Sequence, residues 1–247
     1  MEAGLLNKKV LFIIQARMNS TRFKGKVLRP IPIENGKTTL KWIVDILKDT
    51  KLEHKIIVAT SKAKENLKIC NYCNHHQIDF YQGSENDVLS RFIEVSKKFK
   101  EYNCIVRLTA DNPILDLKIL EKVIFFHLIN GNDYSYTEDL PLGMNFEIIS
   151  RKALLSLEKK KLTKSDKEHV TPFFKKNSHY KKGKYIPKLS FEMNKLRLTI
   201  DYPLDFVVLS VILSIGISLQ LHGVELIEEV YKKNKWVLNV NEDLVQK

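Results

Sequence analysis

The segment Val10–Ile14 reads VLFII, and it runs directly into QARMNSTRFKGKVLRP at Gln15–Pro30. The first part is apolar without a break. A strand covered on both faces has this pattern, because alternation with polar residues is needed only where one face meets water. The second part is polar and carries Arg17, Arg22, Lys24 and Lys26 within ten residues, with Ser20 and Thr21 as hydroxyl donors and Gly25 for a tight turn. A buried strand ending in such a loop fits the carboxyl edge of a parallel sheet, where ligands bind. Arg offers phosphate a bidentate fork and Lys a compact charge. The loop either cradles an anion or is a solvated basic stretch.

Outward from this segment, apolar periods of two kinds alternate. TLKWIVDILKDT has helical spacing in Leu40, Ile43, Val44 and Leu47, with Thr38 or Thr39 as a cap. KIIVATS reads as a second buried strand, 66–73 as a helix, and IDFYQG as a short strand ended by Gly83. SENDVLSRFIEVSKKF is an amphipathic helix that Ser84 or Asn86 can cap. NCIVRLTAD is a fourth strand, and 116–129 a helix. This β-α-β-α-β-α-β-α order predicts an α/β fold with a mostly parallel central sheet and helices on both faces. After Gly131 the pattern is irregular. NDYSYTED and MNFEIIS read as strands, 152–160 and 166–176 as helices, KKGKYIPKLS and KLRLTID as extended. Helices over 204–221 and 224–233 close the chain. No linker rich in Pro, Gly or Ser interrupts it. A single domain over 1–247 is expected, with a regular half at 9–130, a less regular half at 131–202, and C-terminal helices at 203–247.

The formal charge of +12 favours anionic partners, or is the ordinary surplus of a lysine-rich surface. The cations that matter cluster in one loop rather than interleaving with aromatics, which argues against a nucleic-acid-binding face. FVVLSVILSIGISLQL at 206–221 contains Ser, Gly and Gln and falls short of the roughly 20 residues that cross a bilayer, so no membrane partner is expected. The short first apolar run is no signal peptide, and three Cys, an odd number, suit a reducing cytoplasm. CNYCNHH at Cys70–His76 has zinc-like spacing, but no second ligand cluster accompanies it.

One phrase occurs twice: RLTADNPILD at Arg107–Asp116 and RLTIDYPLD at Arg197–Asp205. The flanking segments do not match, so domain duplication is not the cause. Each copy reads as the end of a strand, a turn, and a Pro suited to starting the next helix. Asp111 and Asp201 would then lie at one sheet edge. Together they could hold Mg²⁺, which prefers hard oxygen ligands; alternatively each caps a helix. The loop is not a Walker loop, since GKTT at Gly36–Thr39 has Ile31 where the first Gly is needed, and no Gly-x-Gly-x-x-Gly occurs. No Asp-x-Asp of the kind glycosyltransferases of related fold use for their metal is present.

IIQARMNSTRFKGKVL resembles the nucleotide-binding signature of the cytidylyltransferases that include CMP-Kdo synthetases, and most closely the spore-coat polysaccharide biosynthesis branch. GSENDVLSRF, RLTADNPILD, EHVTPFF at Glu168–Phe174 and RLTIDYPLDF follow in that family's order. Phe23-Lys24 stands where the family usually has Leu-Pro. The resemblance implies a Rossmann-like, GT-A-like nucleotidyltransferase fold that joins CTP to a small acidic acceptor, an acidic sugar or a phosphorylated compound, and releases pyrophosphate. It implies nucleotide contacts from Gln15, Ala16, Arg17, Ser20, Arg22, Lys26, Gly83, Ser84, Asp87 and Asp111, with Lys24 assisting. Catalytic roles fall to Arg17, Lys26, Asp111 and Asp201, and the two Asp hold Mg²⁺. Acceptor contacts are expected from Arg107, Tyr136, Gly143, Glu147 and His169. Arg107 could instead form a sheet-edge ion pair, and Glu147, alternating with Phe146 and Ile148, could face solvent. His169 is either a base for a hydroxyl acceptor or an ordinary helix histidine. Such proteins commonly form homodimers, and 181–190 could serve as an interface arm.

Overall fold

The computed structural model describes residues 9–33 and 36–245. β1 (Val10–Gln15) lies at the centre of a seven-stranded sheet, between β4 (His54–Ser61) and β6 (Cys104–Thr109), both parallel to it. β5 (Phe80–Gly83) extends the parallel set beyond β4. On the other side β8 (Glu147–Ser150) runs antiparallel to β6, followed by β7 (Tyr134–Thr137) and the edge strand β9 (Lys182–Tyr185). A separate two-residue ribbon joins β2 (Pro30–Ile31) to β3 (Lys37–Thr38). The expected mostly parallel sheet is therefore present, with β8 its one antiparallel member among the described strands.

β1 shows why its apolar run needs no alternation. Val10, Phe12 and Ile14 join the apolar cluster on one face, and Leu11 and Ile13 join the cluster on the other. Helices cover both faces. α1 (Thr39–Lys48), α2 (Leu67–His75), α4 (Leu117–Ile129), α8 (Pro203–Leu219) and α9 (Gly223–Asn239) contribute to the first cluster. α3 (Val88–Lys98), α5 (Arg151–Ser156) and α7 (Pro172–Lys176) contribute to the second. Full burial of a side chain such as Phe12 stabilises by about 1.5–3 kcal/mol relative to exposure.

Caps fix the helix starts. Thr38 accepts from Lys41 N, and Asp116 from Ile119 N. α3 is capped by Asp87, which accepts from Ser90 N at 2.8 Å, and not by Ser84 or Asn86. The stretch expected as one helix over 166–176 is two, α6 (Lys164–His169) and α7, because Val170 takes a left-handed φ of 69° and Pro172 begins a new first turn. The helix expected over 152–160 is α5 followed by a 3-10 turn at Leu157–Lys159.

The two RLT-x-D phrases are less alike in space than in sequence. Pro203 does start α8, but Pro113 lies in an irregular stretch, and α4 begins four residues after it. KLRLTID is not a strand of the sheet. It makes a single parallel bridge, Arg197 with Leu142, and backbone bonds from Leu142 N to Leu196 O and from Leu198 N to Leu142 O. Of the proposed arm at 181–190, Lys182–Tyr185 is committed to the sheet as β9. Among the described residues no single helix is long and apolar enough to cross a membrane. Cys70, Cys73 and Cys104 are buried free thiols, and among the described residues no cluster of metal-ligating side chains forms around them.

Candidate active site

Backbone hydrogen bonds gather the site before any side chain does. At the carboxyl end of β1, Ala16 N donates to Ala59 O and Gln15 O accepts from Ala110 N. One residue further, Asp111 O accepts from Ile200 N at 3.0 Å. The first loop, the first phrase and the second phrase are thus stitched together at adjoining residues.

The loop after β1 closes on the carbonyl of Met18, which accepts from both Ser20 N and Gly25 N at 3.0 Å. Asn66 Oδ1 holds Met18 N from outside. Gly25 has φ +72°, a left-handed conformation that costs Gly little. Phe23, standing where the family has Leu, packs edge-on against Phe206 of α8 and beneath Arg29. Lys24 beside it is exposed and takes no part in the cleft.

The turn aims Lys26 inward. Its ammonium is almost sealed from solvent, 2.7 Å from Asp111 Oδ2 and 3.0 Å from Asp201 Oδ1, and it also donates to Ile200 O. Arg22 reaches Asp201 Oδ1 at 2.9 Å and lies over the Tyr202 ring. Burial works against the charged form of Asp111, but Lys26 and the Thr109 hydroxyl outweigh it and hold the carboxyl below its ordinary range. Arg17 is exposed at the mouth and makes no ion pair among the described residues.

These residues line a cleft of about 360 Å³ together with Gln15, Ala16, Ser20, Gly143 and His169. Gly83, Ser84 and Asp87 do not line it. Gly83 ends β5 beneath the aliphatic part of Arg91, and Asp87 is occupied in capping α3. Only Val88, at the start of α3, reaches the cleft from that stretch. The cleft also contains Thr109 and Thr199, Asn112, Leu142 and Glu168, which the sequence reading did not single out. The signal for the two Thr was available: each stands two residues before an Asp in a repeated phrase.

A larger cavity, about 770 Å³, adjoins it and shares Asn112, Leu142 and Gly143 with it. Arg107, Tyr136, Gly143 and Glu147 line this second cavity, with Lys175, Lys182 and Lys184. His169 belongs to the first cleft instead. Glu147 does not face solvent. Oε2 accepts from Arg107 at 2.6 Å, and Oε1 from Tyr134 OH at 2.6 Å, Thr171 Oγ1 at 2.8 Å and Lys175 at 3.0 Å. Burial pushes this carboxyl up, but Arg107, Lys175 and the Tyr134 hydroxyl win and bring it from an ordinary 4.5 to about 2. Arg107 is therefore an ion-pair partner, not at a sheet edge but inside the sheet, facing Glu147 of the neighbouring strand β8; it still borders the cavity and makes a second contact to Gln15 Oε1 at 3.3 Å. Gly143 is where the cavities meet. Its φ is +100°, and a Cβ there would lie 2.5 Å from Leu198 O.

A single ammonium, that of Lys26, already bridges Asp111 and Asp201. Two hard, converging carboxylates that attract a cation fit Mg²⁺, whose other ligands are commonly waters and phosphate oxygens. No cluster of three or more acidic, His or Cys ligands exists among the described residues.

A family model described as cytidylyltransferase matches residues 11–243. An uncharacterized protein of Methanocaldococcus jannaschii is 34% identical over 246 residues, covering 97% of each chain. The spore coat polysaccharide biosynthesis protein SpsF of Bacillus subtilis is 32% identical over 203 residues, covering 80% of this chain and 83% of its own. The solved structure of a cytidylyltransferase from Leptospira borgpetersenii superposes with a TM-score of 0.85 at 28% identity, covering 97% of this chain and 99% of that one.

Proposed function

We propose that this chain, which belongs to the cytidylyltransferase family and is a nucleotidyltransferase with the Rossmann-like fold of that family, transfers the cytidylyl group of CTP to a small acidic acceptor and releases pyrophosphate. The product would serve surface polysaccharide biosynthesis, a reading supported by the Bacillus subtilis relative, which is named for spore coat polysaccharide biosynthesis. One observation carries the reading. The cationic loop of β1 and the two carboxylates converge in one cleft, and that cleft opens at Asn112 and Gly143 onto a second cavity suited to an acceptor.

In the reaction, an acceptor oxygen attacks the α-phosphorus of CTP. The bond from that phosphorus to the oxygen bridging to the β-phosphate breaks, and its electron pair leaves with pyrophosphate. Positioning and charge neutralisation do most of the work. Arg17, Arg22 and Lys26 would neutralise the triphosphate, with the Ser20 hydroxyl as a donor. Asp111 and Asp201 would hold Mg²⁺, which when bound would draw charge from phosphate oxygens. Arg107 is already committed to Glu147, so Lys182, which makes no ion pair among the described residues, is the better placed cation for the acceptor's acidic group. An attacking carboxylate or phosphate is ionised at neutral pH and needs no base. A hydroxyl would give its proton to His169 at the cleft.

The test is pyrophosphate release with Mg²⁺ and each of CTP, ATP, GTP and UTP, across acidic sugars and phosphorylated polyols. CTP alone should support release. Turnover with another nucleotide and none with CTP would sink the proposal.

A further inference from the structure

Asp201 has two oxygens, and the structure divides them. Oδ1 faces the cleft, against Lys26 and Arg22. Oδ2 faces the interior, where Arg197 donates to it at 3.3 Å. Arg197 is in turn gripped by Asp205 of α8, through Nε to Oδ1 at 2.8 Å and NH2 to Oδ2 at 2.9 Å. Asp205 Oδ2 also takes the backbone N–H groups of Asp201 and Tyr202, both at 2.9 Å. Asn241, past the end of α9, completes the set by donating to Asp205 Oδ1 at 2.8 Å and to Arg197 O at 3.2 Å. Arg197, Asp205 and Asn241 are 4%, 0% and 1% exposed, so none of them can touch a substrate.

Starting α8 does not explain this arrangement. Asp205 at the third helical position, accepting from Asp201 N and Tyr202 N, already anchors the first turn, and Pro203 presets its φ. Neither needs a buried guanidinium. A buried ion pair adds little net stability over well-packed apolar residues, because both charges must leave water. What the guanidinium does supply is direction: its fork is locked on Asp205, and from there NH2 reaches Oδ2 of Asp201 and leaves Oδ1 to the site.

We propose that Arg197, Asp205 and Asn241 act as positioning residues for Asp201, holding its inner oxygen so that its outer oxygen is presented to a divalent cation. The inference rests on the reading of Asp201 as a metal-facing carboxylate. It ties Asn241, beyond α9, to the metal site, although Arg197, Asp205 and Asn241 line neither cavity. Groups that orient a metal ligand typically cost 10–100-fold in metal affinity when changed.

The experiment compares wild type with Arg197→Lys, Asn241→Ala and Asp201→Asn. Mn²⁺ is titrated into each protein and followed by the loss of its free EPR signal. The Mg²⁺ concentration for half-maximal pyrophosphate release is measured at saturating CTP, and folding is checked by circular dichroism. Arg197→Lys keeps the charge and loses the fork; Asn241→Ala loses one amide and tests the inference where the first variant folds poorly. Both should weaken Mn²⁺ roughly 10–100-fold and raise the Mg²⁺ requirement, with much of the rate recovered at high Mg²⁺. A merely structural role would lower the melting temperature and leave the metal constants alone. If Asp201→Asn weakens Mn²⁺ while the two folded variants bind it as wild type does, the positioning inference is overturned and the metal reading stands. If Asp201→Asn binds Mn²⁺ normally, the metal reading falls and takes the inference with it.

Discussion

Replacing Glu147 with Gln keeps the shape of the side chain and removes its charge, at the junction of β8, β7 and α7. Wild-type Glu147 titrates at about 2, against an ordinary 4.5. A group whose folded pKa is depressed stabilises the fold above its unfolded value, and that stability is lost as the pH falls through the folded pKa. The difference of about 2.5 units corresponds to roughly 3 kcal/mol, at about 1.4 kcal/mol per unit. For a chain of this size that is roughly 6–12 °C of melting temperature. Gln also turns a donor toward Arg107 or toward the Tyr134 hydroxyl, so one bond of the hub must break. The assay is thermal unfolding by circular dichroism, wild type against Glu147→Gln, from pH 7 down to 3. The gap should be near its full size at pH 7, hold until about 4.5, and shrink steadily below that as wild-type Glu147 takes up its proton. A gap that stays constant down to pH 3 would show that packing and not charge is responsible. No gap at pH 7 would refute the reasoning outright.

Lys26→Met removes the ammonium that neutralises Asp111 and Asp201 and, on the proposed reading, a contact to the triphosphate. Pyrophosphate release at saturating CTP should fall roughly 10²–10³-fold, as it does when a preorganised charge donor is lost, and near-normal turnover would contradict its role. Asp111→Asn and Asp201→Asn should each abolish turnover in the same assay, and either one retaining most of its rate would exclude a shared metal. Gly143→Ala places a Cβ 2.5 Å from Leu198 O in a backbone with φ +100°. It should cost roughly 1–3 kcal/mol in a thermal melt, and it should raise the KM for the acceptor because the shifted residues border both cavities.

The first half of the fold was legible because its strands are buried on both faces and its helices carry unbroken apolar stripes. VLFII and Leu40, Ile43, Val44 and Leu47 each announce a period that nothing nearby contradicts. The second half was less so, since its helices α5, α6 and α7 span five or six residues each, too few for a period to show. KLRLTID has the composition of a strand but is held by Leu142 and Asp111 instead of a ladder, a tertiary choice that no local pattern records. At the site, the cations of the first loop and the two Asp were readable from chemistry and order. Glu147 was not, because alternation says which side of a strand a residue takes but not what covers that side; Tyr134, Thr171 and Lys175 do so from β7 and the α7 region. The repeated phrases misled on Pro113, which starts no helix, and their likeness hid that the two Arg have different partners. Arg107 pairs across the sheet with Glu147, while Arg197 is locked to Asp205 within its own phrase.

The central claim is that the loop after β1 binds the triphosphate of CTP in the cleft that holds Asp111 and Asp201. A crystal structure of the protein with CTP and Mg²⁺ tests it most directly. The account predicts triphosphate oxygens in contact with Arg17, Ser20, Arg22 and Lys26, and density for a cation bounded by Asp111 and Asp201. Triphosphate seated instead among Lys175, Lys182 and Lys184, with the Lys26 ion pairs unchanged, would contradict it.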